Sequence, residues 1–306
     1  MQSHLSDQNS SRRGLSLILL AGVLWGTVGI TSKLLYGSST TTPLSVGFFR
    51  LAISVPVLLS ACWTVQRSKM FEVAGRDLLL MILTGLMTAL YQLCYLAAVE
   101  RAGVAVATLI TLCTAPVMVA IFSAFITRQR PSGCIMLALA GSLAGTAVLV
   151  VFQDAPGDLS MNGSGKLLAL GSAFGYAVIA LTTRSLAGRY HPIQPIAISF
   201  SIGAAILLAV ALAKGIVWQY SPLGWGLLAY LGVIPTALAY VLFIAGMRHT
   251  TSTVASIATL VEPLTSTMLA WMVFGERFSR LGFAGAALLC ISLALLYRGG
   301  RASRAS

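Results

Sequence analysis

The chain consists of long apolar runs that alternate with short polar segments. A helix needs about 20 consecutive apolar residues to cross a bilayer core of about 30 Å, and most of the runs reach that length. Strands of a membrane barrel would instead appear as alternating segments of about 10 residues. The pattern therefore predicts an all-α, polytopic membrane protein with ten transmembrane helices. The predicted spans are 14–36, 43–65, 77–99, 103–126, 132–151, 166–187, 192–213, 221–246, 251–274 and 280–298.

The composition fits a chain that lies almost entirely in the membrane. Hydrophobic residues make up 57% and charged residues only 9%, and the mean hydropathy is +0.88, whereas soluble proteins carry about 25% charged residues. The net charge of +12 would suggest a nucleic-acid partner for a soluble protein. Here the Lys and Arg residues lie mostly in short loops, so we expect a lipid bilayer and no nucleic acid as partner.

The Lys and Arg residues also predict the orientation, because cytoplasmic loops are enriched in these residues. With the N-terminus in the cytoplasm, the inside segments hold 13 of them and the outside segments hold 5. This bias predicts that both termini are cytoplasmic and that the loop at 152–165 is outside.

The chain shows no signature of an enzyme. The five Cys residues lie in or beside predicted spans, the three His residues lie outside them, and none has the spacing of a metal site. There is no HExxH motif, no Walker A motif and no pair of carboxylates within the membrane. We therefore expect no catalytic residues, no cofactor and no metal, and no ATP-driven pumping by this chain.

The two halves of the chain resemble each other when the sequence is aligned with itself. The coinciding residues, at offsets of 149 and then 147, are Gly22 and Gly171, Gly26 and Gly175, Pro43 and Pro192, and Pro116 and Pro263. Each half has five spans, and an odd number means that the second half enters from the opposite side. The sequence predicts two inverted five-helix repeats, 14–151 and 166–298, with a substrate site near the midplane between them.

Charged residues inside spans are costly, so each needs a reason. Glu262 lies near the middle of span nine, Arg50 lies about seven residues into span two, and Lys33 is near a span end, from which it can reach the interface. Arg50 and Glu262 within one cavity could hold the carboxylate and ammonium of a zwitterion. They could equally pair with each other, and the sequence leaves both possibilities open.

Two prolines lie at equivalent mid-span positions, Pro116 and Pro263. A proline cannot donate to the carbonyl four residues before it, which frees the carbonyls of Leu112 and Thr259. Because freed carbonyls at membrane depth are tolerated where they face protein or water, we expect hinges or cavity walls here. A merely structural kink is the alternative.

Aromatic and polar residues recur at helical spacing on several of the spans. Each Thr or Ser alone is more typical of packing between helices, but together the residues suggest an aromatic, weakly polar cavity. In addition to Arg50 and Glu262, the candidate substrate-binding residues are Trp25, Tyr91, Gln92, Tyr95, Thr111, Tyr176 and Tyr240.

These features resemble those of the EamA-type drug/metabolite transporter superfamily over residues 14–298. The resemblance is carried by the ten spans in two halves, a Trp-Gly pair in span one, Arg in span two, and LCTAPV (112–117) matched by LVEPL (260–264), followed by FGER (274–277). The pattern is most similar to that of bacterial amino-acid exporters of the YddG type.

The resemblance implies a secondary transporter of the bacterial inner membrane that exports aromatic and other neutral amino acids by alternating access. It also implies a central cavity between the repeats, with spans five and ten at the periphery. Efflux of drugs or organic cations, with Glu262 as the cation partner, is the alternative function. The sequence is compatible with a monomer. Span one has no acidic residue, so the proton exchange of the four-span relatives does not carry over. Few basic residues lie within the spans, which argues against a phosphorylated substrate.

Overall fold

The computed structural model describes residues 2–102, 104–129, 131–151, 163–274 and 280–299. Most of the predicted 152–165 loop and residues 275–277 of the FGER motif lie outside these ranges. The helices are α1 (Gln2–Ser38), α2 (Pro43–Gln66), α3 (Gly75–Ala102), α4 (Val104–Thr127), α5 (Gly133–Val151), α6 (Gly163–Leu186), α7 (Ile193–Lys214), α8 (Pro222–Gly232), α9 (Ala239–Met247), α10 (Ser252–Ala258), α11 (Val261–Phe274) and α12 (Arg280–Gly299).

The helices confirm the prediction of an all-α polytopic membrane protein. In the described residues every regular element is a helix. Eight helical segments are long and apolar enough to cross a membrane, and two shorter apolar helices, Gly133–Val148 and Arg280–Leu296, correspond to predicted spans five and ten. Spans eight and nine are each built from two helices, α8 with α9 and α10 with α11.

Two helix starts differ from the prediction. The first helix begins at Gln2 rather than residue 14, because the polar residues before the apolar run include neither Gly nor Pro and can continue the helix. The sixth begins at Gly163 rather than residue 166. Hydropathy locates the apolar part of a helix, whereas the helix itself ends only where its backbone hydrogen bonds end.

Capping residues define the starts of several other helices. Thr42 accepts a hydrogen bond from the backbone N–H of Ser45 at 3.2 Å, and Ser221 accepts one from Gly224 at 3.1 Å. In both places a proline follows the cap, where its missing N–H costs nothing.

The prolines of the spans behave differently from one another. At Pro263 the span breaks between α10 and α11, and the carbonyl of Thr259 accepts instead from the N–H of Glu262 at 2.9 Å. At Pro116 the helix α4 continues without a break, and a hinge there stays a prediction. At Pro235, which the sequence reasoning did not single out, a π-helical turn (Val233–Leu238) separates α8 from α9.

The helices pack in pairs across the two halves of the chain. Helix α3 lies along α6 and α7, α2 lies along α7 and α8, α1 lies along α9 and α11, and α5 lies along α12. A twofold relation between the halves would produce this pattern, although the inverted repeat itself stays a prediction.

Two of the glycines that coincide between the halves lie where helices approach each other closely. A methyl group added at Gly26 would lie 2.8 Å from the carbonyl oxygen of Glu262, and one added at Gly175 would lie 3.2 Å from the backbone oxygen of Met87. Without a hydrophobic driving force between helices in lipid, such close backbone approach supplies the packing energy. It also positions Glu262 directly against the first helix.

Candidate functional site

The aromatic and charged residues of the cavity prediction come together where α1, α2, α3, α6, α9 and α11 meet. We call this group the central cluster. It consists of Trp25, Arg50, Tyr91, Tyr95, Tyr176, Tyr240 and Glu262. Arg50 and Glu262 are both close enough to Tyr91 and Tyr240 to interact with them electrostatically. These members were all predicted from the sequence as candidate substrate contacts, and the structure brings them into one place.

The rings of the central cluster form two linked groups. Tyr240 lies 4.9 Å from Trp25 and 4.8 Å from Phe200, measured between ring centroids. Tyr91 lies 6.5 Å from Tyr95, with nearly parallel planes, and 6.2 Å from Tyr176. These distances are typical of aromatic contacts, so both groups of rings contribute aromatic surface to the cluster.

Arg50 and Glu262 do not form an ion pair in this structure. Both residues lie in the described part of the chain, where an ion pair within 4.0 Å joins Arg189 to Asp77 but none joins Arg50 to Glu262. The Nε of Arg50 donates to the hydroxyl of Thr236 at 3.3 Å, and its terminal nitrogens have no protein acceptor in the described part of the chain. The side chain of Glu262 likewise has no hydrogen-bond donor there. Of the two possibilities that the sequence left open, direct pairing is therefore not realised here.

The indole of Trp25 has an unused donor. The residue is only 6% exposed, and its Nε1 has no acceptor among the described residues. A buried donor without an acceptor is uncommon and calls for an explanation such as a missing ligand. Because the ring lies against Tyr240, the unused donor belongs to the wall of the central cluster.

Two hydroxyls of the cluster are bonded to neighbouring threonines. The hydroxyl of Tyr176 lies 3.1 Å from that of Thr259, at the break between α10 and α11. The hydroxyl of Tyr95 lies 2.7 Å from that of Thr108 on α4. Tyr176 thus connects α6 to the break beside Glu262.

Two of the predicted site residues make contacts of another kind. Thr111 is 3% exposed and donates to the backbone oxygen of Ala169 at 3.3 Å, which joins α4 to α6. The amide oxygen of Gln92 lies directly against Gly47, where α3 meets α2. These contacts are those of helix packing, and a substrate contact at either residue stays a prediction.

A polar network at one end of the bundle joins the two halves. We call the end where α1 begins the N side, and the opposite end the far side. On the N side, Asp77 is bound by Arg189 at 2.7 Å and by the hydroxyl of Tyr190 at 2.8 Å. That hydroxyl also accepts from the backbone N–H of Ala74 at 3.1 Å, and Arg248 donates to the backbone oxygen of Tyr190.

His191 borders this network. Partial burial and the positive charge of Arg248 both lower the pKa of His191 below its ordinary value. The imidazole is therefore neutral at neutral pH, and it adds no positive charge to an end of the bundle that already holds Arg189 and Arg248.

Replacing Asp77 with asparagine should loosen the N-side network. The amide oxygen can still accept from Tyr190, but the charge that holds Arg189 is lost. Because Arg189 is 56% exposed, water screens the pair, and we expect an effect of about 1 kcal/mol, or roughly fivefold in the ratio of open to closed N-side conformations. A cysteine at Thr183, buried near this end, should react correspondingly faster with an impermeant maleimide added from the N side.

Glu72→Gln is the matched control for this measurement, because Glu72 is an exposed carboxylate on the same end. It should leave the labelling rate unchanged. Equal rates in the wild type and Asp77→Asn would show that the ion pair does not hold this end closed.

The two halves of the ninth span pack on different neighbours. In the ninth span, the N-side half α10 packs on α4, whereas the far-side half α11 packs on α1. Among the described residues no extensive packing joins α11 to α3, α4 or α6. On the N-side half of the bundle, a narrow crevice lined by Thr183, Ser199 and Tyr240 borders the cluster, with an interior of about 10 Å³, roughly room for one water.

Sequence reasoning missed the residues around Arg50 and on the N side. The mid-span proline rule that singled out Pro263 applies equally to Pro235, and would have drawn attention to Thr236. No local sequence pattern indicates the network around Asp77, because the residues that bind Asp77 lie more than 100 positions away in the chain. Among the described residues, no group of three His, Cys, Asp or Glu side chains is placed to hold a metal ion.

The chain is similar to membrane transporters along most of its length. The EamA-like transporter family matches residues 12–151 and again 163–298. The protein named uncharacterized transporter YwfM of Bacillus subtilis is 30% identical over 279 residues, with 91% of this chain and 92% of that protein covered. The uncharacterized inner membrane transporter YicL of Salmonella typhimurium is 28% identical over 292 residues, covering 94% and 96%.

A solved crystal structure has the same fold. Its TM-score to this chain is 0.80 at 21% sequence identity, and the match covers 92% of this chain and 95% of that one. At this level of identity the likeness extends to the fold alone.

Proposed function

Since this chain belongs to the EamA-like transporter family, we propose that it is a secondary transporter that exports neutral amino acids, aromatic ones included, and similar metabolites. The substrate passes through the central cluster between the two halves by alternating access, and no chemical conversion is involved. Relatives that are named as transporters support the transport function. The choice of substrate rests on the side chains of the cluster.

The observation that carries the proposal is that two opposite charges share one cluster without pairing. An unpaired charge at membrane depth is costly and is typically functional. An amino acid brings both missing partners, because its carboxylate fits the guanidinium fork of Arg50 and its ammonium can donate to the carboxylate of Glu262. Binding such a zwitterion would satisfy both side chains at once.

The walls of the cluster fit the remainder of such a substrate. Its rings offer apolar surface and aromatic faces to a neutral or aromatic side chain. The unused donor of Trp25 offers one further hydrogen bond to a carboxylate or carbonyl oxygen. A substrate with an additional full charge would find no second pair of charges among these side chains.

Efflux of organic cations is the second candidate. It is favoured by the aromatic surroundings of Glu262, because a carboxylate and tyrosine faces together attract a desolvated cation. This function would use Glu262 without Arg50, whereas amino-acid transport uses both charges.

Counterflow in liposomes containing the purified protein separates the two candidates. We expect saturable uptake of labelled tryptophan, phenylalanine or methionine, and competition by other neutral amino acids. If none of a broad panel of amino acids moves, the substrate proposal fails. If amphiphilic cations block the flux while amino acids do not, the second candidate replaces the first.

The export direction depends on the orientation, for which we propose that both termini are cytoplasmic and that the protein lies in the bacterial inner membrane. A cysteine at Thr40, exposed on the far side, should react with an impermeant maleimide in intact cells. A cysteine at Ser68, exposed on the N side, should react only after permeabilisation. The reverse result would overturn the orientation and with it the export direction.

A further inference from the structure

The π-helical turn in span eight lies directly beside Arg50. Pro235 has no N–H to donate to Leu231, the residue four positions before it. The hydroxyl of Thr236 donates to the carbonyl oxygen of Leu231 instead, at 2.6 Å. Thr236 is only 2% exposed, so water does not compete for this bond.

The bond to Leu231 determines what the hydroxyl of Thr236 can do next. A threonine hydroxyl has one hydrogen and two acceptor sites. Because the hydrogen is used toward Leu231, the oxygen can only accept from other groups, and Arg50 donates to it from Nε at 3.3 Å. The guanidinium is therefore held at its Nε edge, and its two terminal nitrogens are left for another acceptor.

The backbones around this contact are held close together as well. A methyl group added at Gly232 would lie 2.7 Å from the Cβ of Ile53 and 3.2 Å from the carbonyl oxygen of Arg50. Only glycine permits this approach of α8 to α2, and it brings the π-helical turn within reach of the arginine side chain.

We propose that Thr236 is a positioning residue that aims the guanidinium of Arg50 at the carboxylate of the substrate. In this role it sets the preference of the site for ligands with a carboxylate over matched ligands without one. The inference rests on the proposed function for the identity of the ligand, whereas the positioning of Arg50 by Thr236 can be measured without any ligand.

Three variants test the role of the hydroxyl. Thr236→Val removes it with little change of shape, and Thr236→Ser keeps it. Thr88→Val is the matched control, because Thr88 is also buried and also donates to a backbone carbonyl earlier in its own span, that of Thr84 at 2.8 Å, but receives no bond from Arg50. If Thr236→Val does not insert stably, Thr236→Ala removes the same hydroxyl and carries the same expectation.

The first measurement uses counterflow of labelled L-phenylalanine in liposomes, with L-phenylalanine methyl ester as competitor. In Thr236→Val we expect the KM for phenylalanine to rise about 10-fold, as for the loss of one good hydrogen bond. The inhibition constant of the ester and the maximal rate should change little. Thr236→Ser and Thr88→Val should resemble the wild type. The inference would be overturned if the KM for phenylalanine and the inhibition constant of the ester rose equally, or if neither rose. A KM in Thr236→Ser as high as that in Thr236→Val would also overturn it.

The second measurement follows the modification of Arg50 by butanedione, without substrate, by mass spectrometry of the peptide. Loss of the hydrogen bond from the Arg50 Nε to the hydroxyl of residue 236 should make the modification several-fold faster in Thr236→Val. The rate should not change in Thr236→Ser or Thr88→Val. If the wild-type protein moves no amino acid while this difference is still present, the proposed function fails and the positioning role stands. If the wild type transports phenylalanine and Arg50 reacts equally in all variants, the positioning role fails alone.

Discussion

Replacing Glu262 with glutamine should reduce transport strongly while the protein still folds. Glutamine keeps the shape of the side chain and removes the titratable charge that we propose to bind the substrate ammonium. A hydrogen bond to a charged group is worth about 1.5–3 kcal/mol, so kcat/KM should fall roughly 10- to 100-fold. The pH dependence of the remaining flux should also disappear. Counterflow of labelled phenylalanine over a range of pH measures both effects.

The fold should tolerate the Glu262→Gln change because, within the described part of the chain, the Glu262 side chain has no hydrogen-bonded or ion-paired partner that would be left behind. Breaking a buried ion pair costs about 3–5 kcal/mol, and such a loss would appear as poor expression. Glu72→Gln, on the exposed N side, is the control and should transport normally. A wild-type flux and pH profile in Glu262→Gln would exclude any essential role of this carboxylate in substrate binding or proton coupling.

Replacing Arg50 with glutamine should weaken the binding of carboxylate-bearing substrates by a similar factor. The expected rise in KM is roughly 10- to 100-fold for phenylalanine, with much less change in the inhibition constant of its methyl ester. Arg50→Lys should not restore the wild-type KM, because lysine has neither the guanidinium fork nor an Nε edge to bind Thr236. The same counterflow assay measures both constants.

The double variant Arg50→Gln with Glu262→Gln distinguishes the unpaired arrangement from a structural ion pair. If the two side chains served each other, each single variant would be unstable and the double variant would recover expression. We expect instead that all three variants are expressed alike and that the double variant transports no better than either single one. Recovery in the double variant would contradict the unpaired arrangement.

Most residues of the central cluster could be predicted from the sequence. Trp25, Tyr240 and Glu262 were selected because aromatic and charged residues within spans are conspicuous against an apolar background, and the structure places them together. Thr111 was selected by the same reasoning but bonds to a backbone carbonyl of α6. A hydroxyl on a helix either joins two packed helices or lines a cavity, depending on which neighbour it faces. The spacing of residues along one helix does not predict which neighbour that is.

The sequence by itself determined the approximate positions and the apolar character of the spans, because these depend on runs of neighbouring residues measured against the thickness of a bilayer. It also located the charges that lie deep in the membrane. The tertiary structure decided that Arg50 bonds to Thr236 rather than to Glu262, that Pro235 forms a π-helical turn while Pro116 leaves its helix unbroken, and that Asp77 binds Arg189 and Tyr190 on the N side. Each of these outcomes depends on which helices lie side by side and on the direction of a single side chain, and helix packing, rather than hydropathy, sets both.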